Sequence, residues 1–222
     1  MKTNNNRLHI KRLCVVAMFC ALAFVLTYLK LPVSFLSLEI KDSAIVLATL
    51  LFGPLSGLAI AVLVPLLELV SHSTTGVYGL IMNMLSSVTF CMVTGVIYKY
   101  KKSFYGAIVG LLSGVFAVTA VMVLANLLVT PYYMGVSVQD VAVLIPKLLL
   151  PFNLIKATLN AAIVLLVYKP LSTVLKKARL VDTMPQAEGD GKRNGSMRSV
   201  LVTVVALAII ALSLLIIFFV LK

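Results

Sequence analysis

The sequence predicts an all-α integral membrane protein, and three observations carry that prediction. Of 222 residues, 61% are hydrophobic and only 12% charged, which excludes an ordinary soluble enzyme. The apolar residues fall into long runs separated by short polar loops. The net charge of +12 comes from basic residues gathered in loops and tails beside those runs, the distribution that orients membrane proteins. It forms no stripe interleaved with aromatics, so nucleic-acid binding is rejected. Cys14, Cys20 and Cys91 lie inside apolar segments and make neither a disulfide framework nor a metal cluster.

Residues 1–12 form a basic tail with Lys2, Arg7, Lys11 and Arg12. Leu13–Leu29 is the first span. It has no convincing cleavage site, so it is read as a retained helix and not as a signal peptide. Its Ala17 and Ala21 make a small-xxx-small step that admits another helix closely. Lys30–Asp42 is too polar and broken to span and is expected to be an outer loop. From Ser43 to Val70 one continuous helix would be about 40 Å long, against a hydrocarbon core of ~30 Å. Gly53-Pro54 is a turn signal, so two short spans are expected, Ser43–Phe52 and Leu55–Val70. Broken helices of this kind often border ligand sites in transporters. Glu68, near the outer end of the second, is read as an interfacial carboxylate in water. Ser71–Gly79 is a loop of hydroxyls and glycines, and His72 a loop residue without metal partners.

Leu80–Tyr98 is the next span, followed by a basic loop with Lys99, Lys101 and Lys102. Phe104–Thr130 carries Gly106, Gly110 and Gly114 on one face suited to tight helix contact, and Asn126 near its far end. Pro131–Lys147 is expected to be a loop. Leu148–Lys169 then holds Asn153, Lys156 and Asn160, whose spacings of three and four put them on one helical face. Such groups in a bilayer are costly unless they turn towards partners, water or a ligand. Snorkelling accounts for Lys156 but not for two Asn beside it. Residues 13–180 are therefore expected to be a six-span domain. Residues 181–198 read as a flexible polar linker and residues 199–222 as an additional transmembrane helix, with nothing to line a site. Truncation after Arg179 is expected to leave binding intact.

Fourteen basic residues fall on the side of the N-terminal tail, the Lys99–Lys102 loop and the segment Lys169–Arg198, which makes that side cytoplasmic and the C-terminus extracellular. The polar features at Glu39–Asp42, Ser71–Gly79, Asn126, Asn153 and Lys156 then share the outer half. That convergence implies capture of something from outside. No phosphate loop, H-E-x-x-H or G-x-S-x-G string occurs, so no ATPase or intramembrane hydrolase is expected. The simplest reading is a capture subunit that borrows its energy.

The strings FLSLEIKD (35–42), LLFGPLSG (50–57), STTGVYGLIMN (73–83), NLLVTPYYMG (126–135) and LPFNLIKATLNA (150–161), with Ala17-xxx-Ala21, together resemble one family. It is the substrate-binding (S) subunit of energy-coupling-factor vitamin transporters, most closely the riboflavin-specific type. The resemblance implies that Asn126, Asn153 and Lys156 hold the ligand's polar ring edge. It implies that Leu38, Glu39, Ile40 and Lys41, with Thr75, Gly76 and Gly79, close over or line the pocket. Aliphatic residues such as Leu127, Leu148 or Ile155 could sandwich a flat ring. Ala17 and Ala21 would contact a transmembrane coupling subunit, and two ATPases would drive uptake. No cofactor is expected, riboflavin being cargo, and the compartment is a bacterial cytoplasmic membrane. Two alternatives stay open: an S subunit for another small vitamin or flavin relative, and a non-transporting scaffold whose polar face grips a partner helix.

Overall fold

The computed structural model describes residues 2–178, 203–213 and 215; the linker expected at 181–198 lies outside them. The chain runs α1 (Lys2–Leu26), β1 (Lys30–Val33), β2 (Leu36–Glu39), α2 (Lys41–Phe52), α3 (Pro54–Ser71), α4 (Gly76–Tyr100), α5 (Phe104–Met134), α6 (Val138–Leu144), a π-helical turn (Ile145–Leu149) and α7 (Leu150–Lys177). Thr203–Ser213, here α8, is a further apolar helix. α3, α4, α5 and the Val138–Leu175 stretch are each long and apolar enough to cross a membrane.

α2 is the axis of the bundle. All twelve of its residues are buried, and it packs against α1, α3, α4 and α7. At ~1.5 Å per residue it is only about 18 Å long, so the split expected at Gly53-Pro54 is realised. Gly53 takes φ 95° between α2 and α3, a left-handed backbone that glycine adopts without steric cost. The Arg12 guanidinium donates to the Phe52 carbonyl at the same turn, satisfying one of the orphan acceptors that end a helix.

α4 and α5 pair most extensively. A β-carbon at Gly110 would lie 2.9 Å from the Thr94 carbonyl oxygen, and one at Gly114 would lie 2.7 Å from the Phe90 ring. The glycine face expected on α5 is thus where α4 approaches, and Thr94 Oγ1 donates to the Gly110 carbonyl across the contact at 3.2 Å.

Three expectations are corrected. Lys30–Asp42 is not an irregular loop. It holds an antiparallel hairpin with Lys30 opposite Glu39 and Val33 opposite Leu36, and its last residues start α2. Its alternation is four residues per strand and is interrupted by Pro32, too short a pattern to read against a bilayer background. Pro131–Lys147 is mostly helical as well. α5 runs through Pro131 to a left-handed stop at Gly135, and α6 opens with a Ser137–Asp140 capping box. Finally, Glu68 is buried, 4% exposed, and not in water.

Candidate functional site

A cleft lined by both apolar and polar side chains opens between the hairpin, α4, α5 and α7, the mixture typical of small-molecule sites. The hairpin turn contributes Phe35, Leu36 and Ser37; α4 and its N-cap contribute Thr75, Tyr78, Gly79, Met82 and Asn83. α5 adds Met122, Asn126, Val129, Thr130 and Tyr133, and α7 adds Phe152, Asn153 and Lys156. The half-exposed rings of Tyr78 and Tyr133 meet edge to face, 6.0 Å between centroids, bridging α4 and α5.

The two asparagines are held ready by their own helices. Asn126 Nδ2 donates to the Met122 carbonyl at 2.7 Å while its Oδ1 accepts from Thr130 Oγ1 at 2.9 Å. Asn153 Nδ2 donates to the Leu149 carbonyl at 2.7 Å. Each bond to the carbonyl four residues back fixes the carboxamide and leaves a second N–H and oxygen capacity for a ligand. The π-turn Ile145–Leu149 immediately precedes this segment. Such turns shift the phase of a helix and recur at functional sites; here the shift precedes the helix that brings Phe152, Asn153 and Lys156 to the cleft. Half-buried Lys156 makes no ion pair among the described residues. Its ammonium is available to an acceptor in the cleft.

Behind the hairpin lies a buried ionic network. Lys41 Nζ is 2.6 Å from Glu39 Oε2 and 2.7 Å from Glu68 Oε2. Lys30 pairs with Glu68 and lies 3.6 Å from Glu39. Lys41 and Glu39 are 0% exposed. Buried charges of this kind persist only when mutually paired and hydrogen-bonded. Two cleft residues touch the network: Asn83 Nδ2 donates to Glu68 Oε2 at 3.2 Å, and Ser37 Oγ donates to Glu39 Oε1 at 3.0 Å. Burial pushes the Glu39 carboxyl up, but the charges of Lys156, Lys41 and Lys30 outweigh it and hold the group down to about 2.

Of the residues expected at a pocket, the structure brings Asn126, Asn153, Lys156, Thr75 and Gly79 to one cleft. It places the others elsewhere. Leu38 is buried behind the wall with Val33, Phe152 and Leu159, and Ile40 packs against that group. Glu39 and Lys41 belong to the ionic network, and Gly76 opens α4 at φ 59° without lining the cleft. Leu127, Leu148 and Ile155 do not line it either; the apolar walls are Phe35, Met82, Met122, Val129 and Phe152. Asn160 shares the helical face but serves the frame. It donates to the Glu39 carbonyl at 2.9 Å and accepts from the Ser43 amide at 2.8 Å, tying the hairpin and α2 to α7. His72 is also more than a loop residue: it stacks on Tyr28 at 4.1 Å and meets Thr27 Oγ1 at 3.1 Å. Asn83, Thr130 and Tyr133 escaped sequence reasoning. The spacing of four between the polar residues Asn126 and Thr130 was the available signal for the second of these.

The described helices and the comparisons agree on a multi-pass membrane protein. The chain is 33% identical over 177 residues to the riboflavin transporter RibU of Staphylococcus aureus (strain TCH60), covering 75% of this chain and 93% of that protein. It is 28% identical over 183 residues to the riboflavin transporter FmnP of Bacillus subtilis (strain 168), covering 77% and 96%. A solved structure, described as the structure and mechanism of the S component of a bacterial ECF transporter, superposes with a TM-score of 0.66 at 32% identity. It covers 76% of this chain and 99% of that one. The family described as "ECF transporter, substrate-specific component" matches residues 11–168, which span the hairpin and every wall of the cleft, so the chain belongs to that family.

Proposed function

We propose that this protein binds riboflavin from the extracellular side and hands it to an ATP-driven coupling module for uptake. The observation that carries the reading is the cleft's polar set. Lys156, without an ion pair among the described residues, stands with Asn126 and Asn153 among apolar walls. An isoalloxazine presents an imide N–H between two carbonyls. Carboxamides both donate and accept, an ammonium donates to a carbonyl oxygen, and thioether and aromatic side chains suit the faces of a flat ring. The relatives named as riboflavin transporters support the same ligand.

In this reading residues 13–180 form a six-span binding domain in a bacterial cytoplasmic membrane. The N-terminus is cytoplasmic, the C-terminus extracellular, and riboflavin is cargo and not a cofactor. The partners are a transmembrane coupling subunit and two ATPases, and the chain itself performs no catalysis. α1 buries Val15, Phe19 and Ala23 against the bundle while Leu13, Ala17, Met18, Ala21 and Leu22 are exposed on the opposite face. The two alanines at that outer face leave room for a partner helix. Ala17→Trp with Ala21→Trp is expected to abolish uptake while leaving binding unchanged.

The test is flavin fluorescence quenching on the purified, ligand-stripped chain. Saturable one-to-one quenching by riboflavin is the expected result. A folded protein that does not quench flavin fluorescence, while binding another vitamin from a panel, would replace riboflavin as the ligand.

A further inference from the structure

α8 lies beyond residue 168, where the family match ends, and its sequence alone suggests a lipid-facing anchor. Its burial pattern says otherwise. Ala206 and Ser213 are 1% and 5% exposed, with Ile209 and Ile210 half-buried between them. Val204, Val205, Leu207 and Leu212 are exposed. Positions 206, 209, 210 and 213 follow spacings of three and four, so one stripe of the helix faces protein. Its two most buried positions carry small side chains, Ala206 and Ser213, which permits close backbone approach there, while Ala208 and Ala211 lie on the exposed side. Ile210 in that stripe packs on the cluster formed by Val33 and Leu38 of the hairpin and Phe152 and Leu159 of α7. Phe152 also lines the cleft.

We propose that α8 is an intramolecular docking helix that positions the cleft wall: it seats on the joint between hairpin and α7 and fixes Phe152 from behind. Lipid tails are as apolar as Leu or Ile, so burial from water cannot drive this contact. Fitted packing of a small-residue face does. Bracing the hairpin against α7 before the ligand arrives removes freedom that binding would otherwise have to remove, the general route by which preorganisation raises affinity. Ile210 acts through Phe152 and touches no ligand itself.

The binding readout rests on the flavin reading; the docking readout does not. Riboflavin affinity and dissociation rate are compared for the full chain, for Ala206→Leu, for the control Leu207→Ala on the exposed face, and for a chain ending at Arg179. Separately, Ile210→Cys and Ile163→Cys are introduced after the native cysteines are replaced, and treated with a short bismaleimide. Ile163 belongs to α7 and packs on the same cluster. The expected result is a cross-link that Ala206→Leu abolishes. Affinity should fall by about tenfold in Ala206→Leu and in the shortened chain, mostly through faster dissociation, with Leu207→Ala unchanged. The packing of Ile210 on the cleft wall thereby reverses the sequence-based expectation that truncation after Arg179 leaves binding intact. Should the shortened chain fail to fold, Ala206→Leu in the full chain carries the comparison. Unchanged affinity and dissociation in Ala206→Leu would overturn the positioning role, and absence of the cross-link would overturn docking. A full chain that binds no flavin would refute the ligand assignment, while the cross-link would still decide whether α8 docks.

Discussion

The ammonium of Lys41 lies 2.7 Å from Glu68 Oε2, joining the first residue of α2 to the last turn of α3. Removing one partner of a buried pair leaves an uncompensated charge and costs about 3–5 kcal/mol. Lys41→Met is therefore expected to lower the thermal midpoint of the detergent-solubilised protein sharply. Adding Glu68→Gln should recover much of the loss, because Lys30 remains beside Glu39. A Lys41→Met midpoint equal to the parent's would show that the network is not structural.

Lys156→Ala should act on the ligand more than on the fold, since Lys156 has no ion pair to lose among the described residues. Loss of a charged hydrogen bond predicts riboflavin binding weaker by about 1.5–3 kcal/mol, with the thermal midpoint of the empty protein lowered less than in Lys41→Met, because Lys156 acts on Glu39 only at a distance. Fluorescence titration reads the first and a melting curve the second; undiminished affinity removes Lys156 from the site.

Asn160→Ala should show the opposite pattern. It strips a partner from the buried Ser43 amide and from the Glu39 carbonyl, and each unsatisfied buried group costs about 1–3 kcal/mol. Stability should fall well before affinity does, measured on the same two instruments.

Gly79→Leu tests the α4 wall of the cleft. A β-carbon there would stand 1.8 Å from Thr75 Oγ1, so Thr75 must turn away and the added side chain must occupy the cleft. Overpacking of about 1–3 kcal/mol should appear as lost riboflavin affinity. Binding at parental strength would place the ligand away from α4.

The depressed Glu39 carboxyl gives a pH dependence with a definite sign. Its stabilising contribution is complete above the unfolded value of ~4.3 and is lost as pH falls through that value towards about 2. The thermal midpoint should drop across this acid window, and Glu39→Gln should flatten the drop there while lowering stability at neutral pH. A parental slope surviving in Glu39→Gln would assign the acid sensitivity to another carboxyl.

Much of the architecture was legible because bilayer spans announce themselves by length and because Gly53-Pro54 is a strong break. The glycine face of α5 was legible for the same reason: side-chain size at spacing four is a local property. What could not be read was direction. Asn153, Lys156 and Asn160 share a face, yet the first two reach the cleft and the third reaches the hairpin, since the choice depends on what stands opposite. Glu68 looked solvated because its partners Lys30 and Lys41 lie 38 and 27 residues away in sequence. Asn83, Thr130 and Tyr133 carry no individual signal; only the meeting of α4 with α5 makes them a wall.

The shortness of α2 bears on how the chain enters its membrane. A segment of twelve residues that begins with Lys41 and Asp42 is a poor substrate for stepwise insertion, since it falls short of the ~20 residues needed to span. Charged residues are also resisted at membrane depth. Of the two carboxylates beside Lys41, Glu39 precedes it in the chain, while Glu68 is synthesised later, on α3, behind the sharp reversal at Gly53. The short α2 therefore gains its full set of ionic partners only when α3 packs beside it and brings Glu68 to Lys41. The order of synthesis thus makes the pairing of α2 with α3 a late event for the outer end of α2, completed by a residue 27 positions downstream of Lys41.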